Sequence, residues 1–288
     1  MGMKDLLNFS LINIDKSAGP TSYSVSEFVR RQLGLKKTSH MGTLDPKVTG
    51  VLPVTLGRAC KLANYFIKHD KTYVGVLETH KKCDINELQT LINDNFTGLI
   101  KQTPPHRSAV KVQERERTVY HWNLTEAGND GRSFMFDARV EGGTYIRKLC
   151  SDLGEMIGGA HMGELRRTEA GVFSESGVGS WELGAKVVNL FDFKSAVDKY
   201  KNGDDKALRE MLIPAEEAIR QVLPVVQVDK CAVKSLHIGK PLFSNNVTDY
   251  PYLKAGDCFA LFCEDKFIGI YRKTDEEITF GRSEYVYN

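Results

Sequence analysis

The 288-residue sequence contains no apolar run approaching the ~20 residues that a membrane-spanning helix requires. Met1 to Asp15 lack the charged, apolar and small-residue zones of a secretion signal. Cysteine is sparse and unpaired. Cys60, Cys83, Cys150, Cys231, Cys258 and Cys263 are scattered, and no two form a Cys-x-x-Cys pair. Cys258 and Cys263 stand five apart, but no matching His/Cys pair accompanies them, which argues against a zinc site. Free thiols fit a reducing, cytoplasmic setting. There is no internal repeat and no low-complexity tract, so solenoids and disordered linkers are excluded. What remains is enough to fold. Hydrophobic residues make up 41%, which suits packed cores, and the length suits two domains.

Net charge is also small, +2, but it is unevenly placed. Residues 28–71 hold nine Lys/Arg against Asp45 and Asp70, a local +7 that leaves −5 for the remainder. A second cluster contains Lys101, Arg107, Lys111, Arg115 and Arg117 against Glu114 and Glu116. Positive charge concentrated on a near-neutral chain fits a polyanion surface. Composition alone leaves a merely solvated face equally open.

Helix signals recur. Ser24 and Glu27 read as a capping box ahead of Val25, Phe28, Val29 and Leu33, with Gly34 as a stop. Ala59, Leu62, Ala63, Phe66 and Ile67 form an apolar stripe. Asp84 and Glu87 open a further helix, and Thr144 is placed to cap one carrying Ile146, Leu149, Cys150, Leu153 and Ile157. Alternation marks strands at Thr72–Glu78, Thr118–Leu124 and Phe134–Val140. This irregular mixture predicts an α+β fold with a mixed, largely antiparallel sheet flanked by helices. Beyond Pro224 come short strands at Val225–Val228, Cys258–Cys263, Phe267–Arg272 and Ile278–Phe280, the pattern of a small β-barrel. The expected division is 1–221 and 222–288.

Three segments invite chemistry. His40 to Pro53 is punctuated by two glycines and two prolines, and it reads as irregular. Asp45 precedes Pro46, which disfavours a helical backbone there. An extended loop thus presents one carboxylate, kept ionised by the surrounding cations. An ordinary Asp-Pro turn would look the same. Arg147 falls in the first turn of a helix, where a cation opposes the helix dipole. A carboxylate answering it through two parallel hydrogen bonds would make it tolerable. A surface arginine with a snorkelling stem is the alternative. Tyr73 begins a strand beside a basic turn, placed either to stack on a base or to pack in the core.

Taken in order, these segments resemble the pseudouridine synthases of the TruB and dyskerin group. The likeness rests on Leu11-Ile12-Asn13-Ile14-Asp15-Lys16 with Gly19-Pro20-Thr21-Ser22, and on Gly42-Thr43-Leu44-Asp45-Pro46 with Thr49-Gly50-Val51-Leu52-Pro53. Gly143-Thr144-Tyr145-Ile146-Arg147 and Ala160 to Thr168 complete it. Pro104-Pro105-His106-Arg107-Ser108-Ala109-Val110-Lys111 and Leu165-Arg166-Arg167-Thr168 point to the archaeal and eukaryotic dyskerin branch. The C-terminal barrel is similar to a PUA domain around Leu223-Pro224 and Leu253-Lys254-Ala255-Gly256-Asp257.

The resemblance implies an isomerase that turns uridine into pseudouridine without cofactor or metal. It implies Asp45 as the catalytic carboxylate, Arg147 as its partner and Tyr73 stacking under the base and helping remove its proton. Leu165 would form an apolar wall, and His40 would fill the gap left by a flipped base. Lys16, Arg107 and Lys111 would bind substrate, the last two on a thumb-like loop at about 79–117. The implied partners are tRNA or rRNA, an H/ACA guide RNA, and proteins like Nop10, Gar1 and L7Ae, with no membrane. Three departures stand out. About ten residues precede Leu11, the chain ends at Asn288, and Thr79-His80-Lys81-Lys82 replaces a His-Gly-Asp pattern. They predict a loosely held barrel and a weaker need for a guide. Two rival readings are a stand-alone tRNA synthase, which the short termini favour, and a non-catalytic RNA-binding scaffold. Asp45, Tyr73 and Arg147 together argue against the scaffold.

Overall fold

Alternating side chains give this chain its strands. Along Lys71–Thr79, Lys71, Tyr73, Gly75, Leu77 and Thr79 point inward and their neighbours outward, the two-residue period of a strand with one buried face. The structure, a computed structural model, describes residues 2–103, 113–178 and 187–288. Arg107 and Lys111 lie outside the described residues.

Among the described residues a twelve-stranded sheet forms the larger part. Its first eight strands are β1 (Phe9–Lys16), β2 (Thr38–His40), β3 (Thr49–Gly57), β4 (Lys71–Thr79), β5 (Gly98–Gln102), β6 (Arg115–Ala127), β7 (Ser133–Val140) and β8 (Ala160–Ala170). Short additions follow: β9 (Phe173–Ser174), β10 (Gly177–Val178), β11 (Val188–Asn189) and β12 (Leu212–Pro214). The path runs β11-β1-β3-β8-β4-β7-β6-β5. Most pairs are antiparallel, whereas β1 meets β11 and β3 meets β8 in parallel. The helices are α1 (Met3–Asn8), α2 (Ser22–Gln32), α3 (Ala63–Ile67), α4 (Ile85–Phe96), α5 (Ile146–Ile157), α6 (Leu190–Lys201), α7 (Lys206–Met211) and α8 (Ala215–Ile219); α3 and α8 join a core shared with the C-terminal strands, and the others build the main core. Val25, Ile92, Leu149 and Phe193 pack there with Ile12, Val54, Trp122 and Phe136. The mixed α+β architecture is the expected one.

Two helix starts differ from expectation. Thr21, not Ser24, caps α2, its hydroxyl accepting the Ser24 N–H at 3.0 Å. Glu27 is held instead by Arg30 and Arg31 at 2.7 and 2.8 Å. Thr144 does not cap α5, because its hydroxyl donates to the Glu141 carbonyl at 2.8 Å. Gln102 serves this turn: its Oε1 accepts the Tyr145 N–H at 3.0 Å. Its Nε2 donates to the Tyr145 carbonyl at 3.3 Å.

The C-terminal part is a nearly closed six-stranded sheet, consistent with a PUA-like barrel. Its strands are β13 (Val225–Val228), β14 (Leu242–Phe243), β15 (Val247–Asp249), β16 (Cys258–Cys263), β17 (Lys266–Lys273) and β18 (Thr279–Val286), with α9 (Val233–His237) after β13. The last strand is longer than Ile278–Phe280. Arg282 and Glu284 carry its outer half, where the apolar signal fades. The barrel is not loosely held, contrary to expectation. Phe9, Leu11 and Phe66 share one buried core with Ala260, Phe262, Phe267 and Ile270. The Phe9 ring stacks on Tyr287 at 4.0 Å and on Phe267 at 5.7 Å. The Tyr65 hydroxyl donates to Glu284 at 3.0 Å across the same junction. Phe9→Ala is therefore expected to cost about 3–5 kcal/mol, the range for removing a large aromatic from a core. Denaturant unfolding of the whole chain measures it, and a cost under about 1 kcal/mol would contradict the shared core.

Candidate active site

The Asp45 loop bridges β2 and β3 and is fastened at several points. The Ser22 hydroxyl both accepts the Leu44 N–H at 2.8 Å and donates to the Leu44 carbonyl at 3.0 Å. The Val48 N–H closes a turn on the Asp45 carbonyl at 3.0 Å. The Gly19 N–H holds the Pro46 carbonyl at 2.9 Å. Leu44 and Val48 are buried on either side, so the backbone is anchored while the Asp45 side chain stays 45% exposed. Behind the loop β3 runs beside β8, with Gly50 opposite Arg167. A Cβ at Gly50 would lie 2.1 Å from the Arg167 carbonyl, so only glycine permits this approach.

Lys16 is another fastening. It was expected to bind substrate, but it is fully buried. Its ammonium donates to the carbonyls of Ser17, Pro46 and Val48 at 3.0, 3.0 and 2.7 Å. A lysine has three N–H donors; all three are spent on backbone carbonyls, two of them on the loop. Burial pushes the Lys16 pKa down, and the negative charge of Asp45 partly offsets this.

Arg147 comes from the first turn of α5, which follows β7 and packs on β8. Its Nη1 lies 2.9 Å from Asp45 Oδ2. The two meet as an ion contact, and the two parallel hydrogen bonds expected are not formed. Among the described residues no hydrogen bond falls on Oδ1. An ion pair about half exposed on both sides adds at most ~1 kcal/mol to stability. Its significance lies in placement, since residues 102 positions apart in sequence meet at an accessible surface.

Tyr73 sits on β4 directly across from Arg167 of β8, 8% exposed, and its phenol is close enough to the Arg167 guanidinium to favour the cation. Leu165 is buried in the same core region as Tyr73, Leu44 and Ile146. His40 ends β2, its Nε2 3.2 Å from the Thr43 hydroxyl and its Nδ1 3.4 Å from that of Ser26. Burial and then the Arg167 cation push the His40 pKa down. Of the basic window, Lys36, Lys37, Lys47, Lys61 and Lys68 are exposed, whereas Lys71 is buried. Burial is the main cause that pushes Lys71 down to about 8.

Against this geometry stand the known proteins. Residues 30–146 match the N-terminal domain of the TruB family of pseudouridylate synthases, and residues 147–220 match a tRNA pseudouridylate synthase B C-terminal domain. A probable tRNA pseudouridine synthase B of Methanopyrus kandleri is 38% identical over 274 residues, 93% of this chain and 77% of that protein. The chain belongs to the TruB family of pseudouridine synthases. A second relative of the same name, from Korarchaeum cryptofilum, is 44% identical over 239 residues, 82% of this chain and 70% of its own length. Among solved structures, a chain of a Cbf5–Nop10–Gar1 complex superposes with a TM-score of 0.87 at 32% identity, covering 99% of this chain and 87% of that one. A chain of an H/ACA ribonucleoprotein bound to substrate RNA gives 0.86 at 30% identity, covering 100% and 88%. This TruB-family enzyme is thus an isomerase acting on RNA. Sequence reasoning did not single out Arg167 as a site residue. The alternation of β8, where Leu165 and Arg167 are buried and Arg166 is not, was the available signal.

Proposed function

We propose that the enzyme converts uridine to pseudouridine with Asp45 as nucleophile, Arg147 as the cation that aims it and Tyr73 beside the base. The observation that carries this is the accessible Asp45–Arg147 pair at 2.9 Å on an anchored loop. The isomerisation breaks the N1–C1′ bond of the nucleotide and forms C5–C1′, with a proton leaving C5 and another reaching N1. No electrons enter or leave. Asp45 Oδ1 is the oxygen available for attack, because Oδ2 faces Arg147. Leu165 supplies an apolar wall, and His40 stands where a flipped base would leave space. Unpaired uridines in structured RNA are the cheapest to flip.

The targets are rRNA uridines selected by an H/ACA guide and the T-loop uridine of tRNA, in a cytoplasmic setting. The likeness to Cbf5 chains in complexes with Nop10, Gar1 and RNA supports the guide-directed route and partners of the Nop10 and Gar1 type. The firmly packed barrel supports it as well, since a fixed barrel holds a guide in register with Asp45. The relatives called tRNA pseudouridine synthase B support the tRNA route. Pseudouridine mapping separates the routes. Purified enzyme is given bare tRNA transcript, or target RNA with guide and Nop10- and Gar1-like proteins. Activity on tRNA with none on the guide-paired target would overturn the guide-directed reading.

The second basic cluster should contact phosphates. Lys101 and Arg117 lie on the two arms of the β5–β6 hairpin, paired with Glu114 at 3.7 Å and Glu141 at 3.4 Å. Neutralising Arg107 and Lys111 together is expected to flatten the salt dependence of RNA binding by about 0.7–0.9 in log–log slope for each phosphate left without its cation. Filter binding across a salt series reads this slope, and an unchanged slope removes the cluster from the interface.

A further inference from the structure

Arg167 is 1% exposed, yet no carboxylate among the described residues pairs with it. Its guanidinium is spent on neutral acceptors. Nε donates to the Val51 carbonyl at 2.8 Å and Nη2 to the Gly42 carbonyl at 3.0 Å. The Tyr73 phenol is its third neighbour, set across from it by the pairing of β4 with β8 and favouring the cation. Desolvating a cation is costly, and a packed apolar side chain of similar size often serves stability as well or better. Stability therefore does not account for Arg167, but geometry does. Its rigid, planar fork has donors in fixed directions. Here the fork spans three separate pieces of chain: β3 just after the Asp45 loop, the start of that loop, and the strand that carries Tyr73. The contact with the loop is close. Gly42 has φ +85°, and a Cβ there would lie 3.2 Å from Arg167 Nη1.

We propose that Arg167 is a positioning residue, locking Tyr73 and the Asp45 loop into one unit so that phenol and carboxylate address the same nucleotide. This rests on the reading of Asp45 and Tyr73 given above. Arg167 itself touches neither substrate nor the Asp45 side chain. A lysine at this position would keep the charge but could not meet three groups in these directions.

The test uses the full chain with its RNA under single-turnover conditions. Arg167→Lys is expected to slow pseudouridine formation tenfold or more while the RNA Kd stays within twofold. Combined with Tyr73→Phe, its cost should fall short of the product of the two single losses by at least fivefold, because the second change removes one of the groups that Arg167 holds. Full multiplication of the two losses, or a Kd that rises in step with the rate loss, would overturn the proposal. Gly42→Ala is a second variant that crowds the guanidinium, its methyl lying 3.2 Å from Arg167 Nη1 on a backbone at φ +85°. It should also slow the reaction at unchanged Kd, and an unaltered rate counts against the proposal. A readout independent of turnover is the NMR titration of His40. Arg167→Met should move it upward and Arg167→Lys should not, and an unmoved titration in the Met variant would show that the guanidinium does not face the loop. A wild-type chain that makes no pseudouridine sinks the underlying reading, whereas an active wild type with an equally active Arg167→Lys sinks this inference alone.

Discussion

Asp45→Asn is expected to lower the single-turnover rate of pseudouridine formation by about a thousand-fold or more, with RNA affinity held within a few-fold. Asparagine matches aspartate in size and can still accept a hydrogen bond, but it has no anionic oxygen with which to attack. The size of the effect discriminates because a structural role for this side chain would be small. The loop backbone is fastened by Ser22, Lys16 and Gly19 through main-chain groups of Leu44, Pro46 and Val48. None of these contacts uses the Asp45 carboxylate. Its ion pair with Arg147 is about half exposed on both sides and adds at most ~1 kcal/mol to folding. The variant should therefore melt near the wild type while losing nearly all turnover. Mass-spectrometric counting of pseudouridine in a substrate the wild type modifies provides the measurement. A variant working at near wild-type rate would remove Asp45 from the chemistry.

The parts of the site legible in the sequence were those with a local cause. Pro46 extends the backbone at Asp45, and the apolar period after Tyr145 places Arg147 in a first helical turn. Tyr73 falls on the inward phase of an alternating strand. What was not legible depends on pairings between distant strands. Arg166 and Arg167 are adjacent and chemically alike, yet one binds Asp15 at 3.0 Å on the outer side and the other is buried behind the active loop. Only the register of β4, β8 and β3 decides which points inward. Lys16 misled in the same way, since a lysine at the end of a strand reads as solvent-facing until the carbonyls it serves are known. The strand β3 was obscured by its own composition. Pro53 would ordinarily argue against a central strand. Here β8 pairs only at Thr49 and Gly50 and β2 only from Val54 to Leu56, so Pro53 falls in the gap where no N–H is required.

Arg147→Lys should cost about a hundred-fold in rate with little change in RNA affinity, the signature of a misplaced reacting group rather than a weakened grip on the RNA. Both side chains are cations, so any effect through net charge alone would leave the lysine variant nearly intact. The difference lies in geometry. The arginine presents Nη1 at 2.9 Å from Oδ2 from a planar group, and that contact fixes which carboxylate oxygen is occupied and which is free. Lysine offers a compact ammonium on a flexible stem whose donors rotate, so it can settle on either oxygen and strand the nucleophile in an unproductive orientation. Because Arg147 is 54% exposed, the substitution buries no new charge and opens no cavity, and unfolding should not confuse the result. Equal losses in rate and in affinity would transfer Arg147 from the reacting centre to the RNA-binding surface. A loss confined to the rate means that the guanidinium aims the carboxylate.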